Sequence, residues 1–158
     1  MSKAVLISIN PKWCELIASG KKTLEARKTR PRMLAPFKVY IYETRGDERF
    51  GNDSYNSVKI GNGRRKVIGE FICDWCDWYK RKSSDIVELS LGSLVQPKEL
   101  YEYMGENDGL YGWHISALQI YDSPMELSMF YRDYAPNGMP IKHLQRAPQS
   151  WCYVEEQL

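Results

Sequence analysis

The chain has 158 residues, and its 22 lysines and arginines against 20 aspartates and glutamates give a formal net charge of +2. Hydrophobic residues make up 43% of the chain, which is typical of a folded protein and argues against disorder. The length suits one domain over residues 1–158, and no apolar run approaches the roughly 20 residues that cross a membrane. The apolar part of the N-terminal stretch is also too short for a signal peptide. We therefore expect a single-domain cytoplasmic protein with reduced cysteines and no membrane partner.

The first half of the chain predicts three strands and one short helix. Val5–Ile9 is an apolar run typical of a buried strand. Asn10 suits a helix N-cap, Pro11 suits the first helical position, and Gly20 suits a helix end. An amphipathic helix is therefore expected over residues 10–19. Further strands are expected at Thr23–Arg27 and Lys38–Thr44.

The second half predicts longer strands, helical segments and two loops. Residues 46–63 are rich in Gly, Asn, Asp and Ser, which favours a long loop. A weak helical pattern covers residues 83–109, with Pro97 near a helix start. Ser123–Glu126 forms a capping box, which predicts a helix that runs to about Arg132. A proline-containing loop is expected at residues 135–148, and strands are expected at Lys66–Trp75, Leu110–Tyr121 and Trp151–Glu155.

The predicted elements, about six strands and three short helices, follow one another irregularly along the chain. A doubly wound parallel sheet would need strands that alternate regularly with crossover helices, so that architecture is disfavoured. We predict an α+β fold, in which a small mixed β-barrel of about six strands carries the helices over its ends.

Positive charge is concentrated in one stretch, residues 21–32, which hold six bases and one acid. The bases are Lys21, Lys22, Arg27, Lys28, Arg30 and Arg32, and the acid is Glu25. Two further basic clusters lie at residues 64–66 and 80–82. Since the molecule as a whole is close to neutral, this asymmetry favours an anionic ligand bound at one face.

The segment from Gly20 to Arg27 reads G-x-K-x-x-E-x-R and follows a predicted strand and helix. Together with Ile68–Phe71 (IGEF), Tyr111–Ile115 (YGWHI) and Pro148–Glu155 (PQSWCYVE), it makes the chain similar to the ASCH domain, a branch of the PUA-like superfamily. The resemblance covers nearly the whole chain and is of the small bacterial and phage type. It implies a pseudo-barrel of about six strands, a cleft between barrel and helix, and binding of RNA, modified bases or nucleotides. Some proteins of this kind are ribonucleases, and one small branch removes the acetyl group of N4-acetylcytidine.

We predict that the motif lines the ligand cleft. Residues two apart on a strand face the same side, so Glu25 and Arg27 project together, and Lys22 lies just before them. Lysine and arginine suit phosphate, whereas a glutamate can accept hydrogen bonds from base amino groups or ribose hydroxyls. The alternative is that Glu25 is the structural ion-pair partner of Lys22 or Arg27. The ligand-binding candidates are Gly20, Lys22, Glu25, Arg27, Arg65, Lys66, Trp113 and His114, and further rings that could stack on bases are Trp13, Tyr42 and Tyr111.

An enzyme acting on RNA or on a modified nucleoside is the first alternative, with Lys22 and Glu25 as its acid–base pair. The deacetylating branch has a lysine and a threonine in the corresponding loop. Lys22 matches the lysine, but Glu25 stands at the threonine position, which argues against that activity. A ribonuclease could use His114 or His143 for proton transfer, although a histidine on a strand is more often structural. The second alternative is a protein-interaction module or transcriptional cofactor that uses exposed aromatic residues.

Cys73 and Cys76 have the C-x-x-C spacing of many metal and redox sites. A zinc site would need two more ligands, and the sequence contains no second C-x-x-C and no H-x₃-H. A redox pair typically opens a helix in a thioredoxin-like unit, whereas these residues fall on a predicted strand and its end and should point to different faces. We therefore interpret all four cysteines as ordinary core or edge residues, and we expect no metal and no cofactor.

Overall fold

A mixed six-stranded sheet, a separate two-stranded ribbon and three α-helices make up the part of the chain that the structure describes. The structure is a computed structural model, and it describes residues 2–48, 59–60, 63–132, 136–139 and 142–157. The helices are α1 (Pro11–Ala18), α2 (Ser83–Ser93) and α3 (Pro97–Met104). The strands are β1 (Lys3–Ile9), β2 (Leu24–Arg27), β3 (Phe37–Glu43), β4 (Asp47–Glu48), β5 (Lys59–Ile60), β6 (Lys66–Lys80), β7 (Gly109–Met125) and β8 (Trp151–Glu155). Within the described ranges, no helix is long and apolar enough to cross a bilayer.

The six strands of the large sheet follow the order β2-β7-β6-β3-β1-β8. β1 runs parallel to β3, with Val5 opposite Val39, and antiparallel to β8. β2 runs antiparallel to β7, which places Glu25 opposite Trp113 and Arg27 opposite Tyr111. The sheet therefore mixes both pairing types, and together with the helices it gives an α+β fold.

The sheet is open, so the predicted closure into a β-barrel is wrong. Closure needs hydrogen bonds between the first and last strands of the order, but in the described part of the chain β2 pairs with β7 and β8 pairs with β1. These two edge strands have four and five residues, whereas the inner strands β6 and β7 have 15 and 17. Short edge strands offer few backbone groups for further pairing, which keeps the sheet from extending or closing.

The described chain divides into two units, each assembled from separate stretches of sequence. Unit 1 comprises Met1–Glu15, Val39–Glu70 and Gln119–Leu158, and unit 2 comprises Leu16–Lys38 and Phe71–Leu118. The long strands β6 and β7 each contribute residues to both units, since each begins in one unit and ends in the other.

Each unit has an apolar core of its own. In unit 2, Leu24 and Ala26 enter the core from β2, so Glu25 and Arg27 project from the opposite face of that strand. The other buried residues of this core are Tyr79, Ile86, Leu89, Leu100, Met104 and Leu110. The core of unit 1 is formed by Ala4, Leu6, Tyr40, Val67, Phe130, Leu144 and Val154. The alternation along β2 thus separates the apolar residues of the motif from its charged ones.

Most predicted elements are confirmed with shifted ends, but the helix predicted after Ser123 is wrong. β7 continues to Met125, and a 3-10 turn at Leu127–Met129 follows it. Tyr121 and Met125, both on β7, pack against the core of unit 1 and are separated by an even number of residues, so they lie on one face of the strand. An extended chain satisfies that spacing, so packing overrides the local capping signal.

The loop predicted at residues 46–63 lies largely outside the described residues. Its two ends are described, because β4 and β5 pair antiparallel there, with Asp47 opposite Ile60. Residues 49–58 and 61–62 are outside the described ranges, as are residues 135 and 140–141 of the second predicted loop.

Candidate functional site

The glycine of the motif turns the chain from α1 into β2. Gly20 has a φ of +79°, a left-handed conformation that glycine adopts without the steric cost of a side chain. Its amide donates to the carbonyl of Ile17, and the amides of Lys21 and Lys22 donate to the carbonyl of Leu16. These bonds satisfy carbonyls at the helix end, as a glycine C-cap usually does. Gly20 therefore acts on the path of the backbone, which brings Lys22 to the start of β2.

A buried ionic network joins the three charged residues of the motif. The Glu25 carboxylate lies between two cations: Lys22 Nζ is 3.5 Å from its Oε2, and Arg27 Nε donates to its Oε1 at 3.2 Å. Lys22 also donates to the carbonyl of Ser93 at 2.7 Å, at the end of α2. Lys22 is only 2% exposed and Glu25 only 7%, so both charges lie inside unit 2.

Burial determines the electrostatics of this network. Desolvation lowers the pKa of Lys22, the negative charge of Glu25 partly opposes that change, and the positive charge of Arg27 adds to it. The second carboxylate oxygen of Glu25, Oε2, is buried and accepts no hydrogen bond within the described chain. A buried carboxylate that is only partly hydrogen-bonded is costly, and the two neighbouring cations compensate its negative charge.

Trp113 and His114 follow one another on β7 but have different surroundings. Trp113 is fully buried, its indole donates to the carbonyl of Thr29 at 3.2 Å, and Phe37 meets its ring edge-on. His114 is partly exposed, and its Nδ1 lies 2.6 Å from Asp74 Oδ1. Trp75 stacks on the imidazole with a centroid separation of 4.6 Å. The indole of Trp113 therefore anchors the backbone at Thr29 from within the core, while His114 is held by a carboxylate and an indole.

Arg65 and Lys66 lie in unit 1, whereas the motif residues Lys22, Glu25 and Arg27 lie in unit 2. Lys66 Nζ is 3.1 Å from Glu126 Oε1 in an exposed ion pair. Burial raises the pKa of the Tyr42 hydroxyl, and the charge of Arg65 partly opposes this change. Each of these two sequence candidates thus has its own neighbours within unit 1.

An open depression of about 610 Å³ lies on unit 2, directly after the motif in sequence. We call it the basic depression; its lining residues are Lys28, Thr29, Arg30, Pro31, Arg32, Met33, Leu34 and Tyr111. Tyr111 is the cross-strand partner of Arg27, and Trp78 packs edge-on against its ring at a centroid distance of 4.8 Å. The basic depression therefore combines three cations with one aromatic ring.

The backbone of this basic segment is fixed by side-chain donors. Arg30 donates to the carbonyls of Pro31, Met33 and Cys76, at 3.1, 3.1 and 3.4 Å. The Lys28 ammonium lies 4.9 Å from the ring centroid of Tyr103, a cation–π contact that holds a cation near the end of α3. Sequence reasoning missed Tyr103, Ser93 and Asp74 as partners of the candidate residues, since each lies far along the chain from the residue it contacts.

Cys73 and Cys76 do not point to different faces, so that expectation is wrong. Their sulfur atoms are 3.4 Å apart, and Cys73 Sγ also donates to the carbonyl of Trp75 at 3.3 Å. Regular alternation would separate residues three apart, so β6 departs from ideal strand geometry at this point. Among the described residues, no three His, Cys, Asp or Glu side chains cluster in a way that could hold a metal ion.

The same fold occurs in crystal structures of an ASCH protein from Zymomonas mobilis. The ASCH structure itself aligns with a TM-score of 0.63 at 18% identity, over 97% of this chain and 88% of that one. Two point mutants of the same protein, ZmASCH, align with TM-scores of 0.64 at 17% identity, over 97% and 98% of this chain and 89% and 92% of theirs. The sequence matches no protein-family model and no curated protein. A likeness at this level of identity establishes architecture, and function has to be argued from the site.

Proposed function

The chain has the fold of the ASCH domain, and from this premise we propose that it binds RNA or a nucleotide-sized anion through unit 2. The observation that carries the proposal is the basic depression, which Lys28, Arg30 and Arg32 line together with Tyr111. Cations attract phosphate groups, and an aromatic face stacks on a base. The proposed ligand class, a phosphate that carries a planar ring, follows from the presence of both features in one place.

Single-stranded RNA fits the basic depression better than a duplex does. A base can stack on a side chain only when it has left its own stack, which happens in single strands, loops and ends. The volume of about 610 Å³ lies within the usual range for small-ligand sites, roughly 300–1,000 Å³. The basic depression is open to solvent, so a nucleotide could enter it while the rest of a strand continues outside.

The buried network supports this proposal by orienting Arg27. Arg27 precedes Lys28 in the chain and lies opposite Tyr111 in the sheet, so it is next to two of the residues that line the basic depression. Glu25 holds the Nε side of its guanidinium, and Lys22 balances the charge of that carboxylate from within. We infer that Arg27 contacts a phosphate, while Lys22 and Glu25 position it. A preoriented arginine loses less conformational freedom when it binds an anion.

The test is fluorescence anisotropy of a short labelled single-stranded RNA across a salt series. The Lys28→Ala/Arg32→Ala double variant removes two cations that line the basic depression. The Lys80→Ala/Lys98→Ala double variant is the matched control, because it removes two exposed cations that do not line it. We expect the first variant alone to bind about tenfold more weakly and to reduce the slope of log Kd against log salt by about 1.4, or about 0.7 per lost phosphate contact. Equal affinities of the two variants would contradict the proposal.

A second candidate function, hydrolysis of a modified nucleoside, is favoured by one observation, the 3.5 Å contact between the Lys22 ammonium and the Glu25 carboxylate, where burial also lowers the pKa of the lysine. A lysine of lowered pKa next to a carboxylate can accept and return a proton during acyl transfer. The test is incubation of N4-acetylcytidine with the protein at high concentration, followed by chromatography for cytidine. Product from the native chain but not from the Lys22→Ala variant would support this function, and its absence from both would rule it out.

A further inference from the structure

Cys73 and Cys76 on β6 hold two sulfur atoms in contact. The sulfurs are 3.4 Å apart, and both residues are free thiols. A disulfide has an S–S distance of about 2.05 Å, so the bond would require the sulfurs to approach by only about 1.4 Å. The two residues are unequally accessible, because Cys73 is fully buried while Cys76 is half-buried.

The surroundings distinguish the two thiols chemically. The hydrogen bond between the two thiols lowers the pKa of Cys76, the positive charge of Arg30 adds to this, and burial and the carboxylate of Asp77 oppose it. The same hydrogen bond, together with burial, raises the pKa of Cys73. A thiolate is the form that attacks a disulfide, so Cys76 is both the more accessible sulfur and the one more readily ionised.

We propose that Cys73 and Cys76 form a redox site that closes to an intramolecular disulfide by exchange with a low-molecular-weight disulfide such as oxidised glutathione. The Cys76 thiolate attacks one sulfur of that disulfide, forms a mixed disulfide and releases one glutathione thiolate. Cys73 then attacks the Cys76 sulfur and passes its proton to the leaving glutathione sulfur, which releases the second glutathione as a thiol. The chain loses two electrons and its two thiol protons, and the glutathione disulfide is reduced to two thiols.

The proposed disulfide between Cys73 and Cys76 would be reversible, and its formation would not depend on RNA binding. A disulfide that spans so few residues closes a very short loop, and the stabilisation from loop closure is correspondingly small. A dithiol reductant should therefore restore both thiols. The proposal would stand if RNA binding failed, because it rests on the contact between the sulfurs and on their unequal exposure.

The experiment is oxidation of the folded native chain with oxidised glutathione, followed by alkylation, trypsin digestion and mass spectrometry. Cleavage after Lys66 and Lys80 places both cysteines in one peptide, Val67–Lys80, while Cys14 and Cys152 fall in other peptides. We expect the Val67–Lys80 peptide to lose two hydrogens and both alkylation sites, and to regain them after treatment with dithiothreitol. Cys152, whose pKa burial raises, is the internal control and should stay alkylated.

Two variants identify the order of attack. In Cys73→Ala, the resolving thiol is missing, so one glutathione should remain on Cys76 as a stable adduct. In Cys76→Ala, the buried Cys73 should acquire glutathione at least about tenfold more slowly than Cys76 does in the other variant. Far-ultraviolet circular dichroism confirms that each variant is folded. A native chain whose Val67–Lys80 peptide keeps both alkylated thiols, or in which Cys152 oxidises as fast, would overturn the proposal.

Discussion

Glu25 Oε1 accepts a hydrogen bond from Arg27 Nε at 3.2 Å, two residues along the same short strand. The other oxygen of the same carboxylate lies 3.5 Å from the Lys22 ammonium. Glu25, the single acid of the basic stretch, thus has a structural role. Its carboxylate compensates the buried charge of Lys22 and orients the guanidinium of Arg27. The structural ion pair that the sequence left open is present with both partners, and the proposed ligand role of Arg27 builds on it.

The first prediction concerns the stability of the network. Replacing Glu25 with Ala leaves the Lys22 charge buried without its carboxylate, so the free energy of unfolding should fall by about 3–5 kcal/mol. Urea unfolding followed by tryptophan fluorescence measures this change. Glu102→Ala, at an exposed position of α3, is the matched control and should stay within about 0.5 kcal/mol of the native chain. If both variants proved equally stable, the ionic network would contribute nothing measurable to the free energy of unfolding.

The second prediction concerns the pH dependence of stability. Burial lowers the pKa of Lys22 below its ordinary value of 10.5, so between the two pKa values the unfolded chain binds more protons at this group than the folded chain. The contribution of Lys22 to the free energy of unfolding therefore rises with pH across that window. Below the window, the lysine is charged in both states and the full cost of burying its charge is present.

We therefore expect the native chain to gain stability relative to a Lys22→Met variant as the pH rises from neutral towards 10.5. Urea unfolding of both proteins at each pH measures the difference, in which the titration of tyrosines common to both chains largely cancels. A difference that stays constant over this range would show that Lys22 keeps its ordinary pKa in the folded chain.

The third prediction concerns the aromatic ring of the basic depression. Tyr111→Leu removes a stacking surface worth roughly 1–3 kcal/mol per base, so the affinity for single-stranded RNA should fall by roughly five- to 150-fold. Tyr111→Phe keeps the ring and should retain most of the affinity. Anisotropy titrations of both variants at one salt concentration make the comparison. Equal losses in the two variants would assign the effect to the hydroxyl group and not to stacking.

The fourth prediction concerns the glycine of the motif. A Cβ added at Gly20 would meet nothing within 4 Å, so the cost of Gly20→Ala comes only from its φ of +79°. A left-handed alanine costs roughly 1–2 kcal/mol, and the free energy of unfolding should fall by that amount. RNA affinity of the folded variant should be unchanged, because the glycine shapes the backbone turn. A large loss of affinity without a loss of stability would instead place Gly20 against the ligand.

The sequence predicted what depends on near neighbours in the chain. Asn10 and Pro11 indicated the start of α1, and the two-residue period of a strand placed Glu25 and Arg27 on one face. The partners supplied by distant segments were beyond such reasoning: the carbonyl of Ser93 lies 71 positions from Lys22. Closure of the sheet failed as a prediction for the same reason, since it depends on pairing between the two edge strands. Local capping chemistry at Ser123 was likewise outweighed by packing of apolar residues that only the folded chain brings together.

Arg30 has both a structural and an electrostatic role in the basic segment. Its single guanidinium ties together the carbonyls of Pro31, Met33 and Cys76, and it is at the same time one of the cations of the basic depression. One side chain therefore determines both the shape of this surface and part of its charge. A substitution at position 30 would change both properties together.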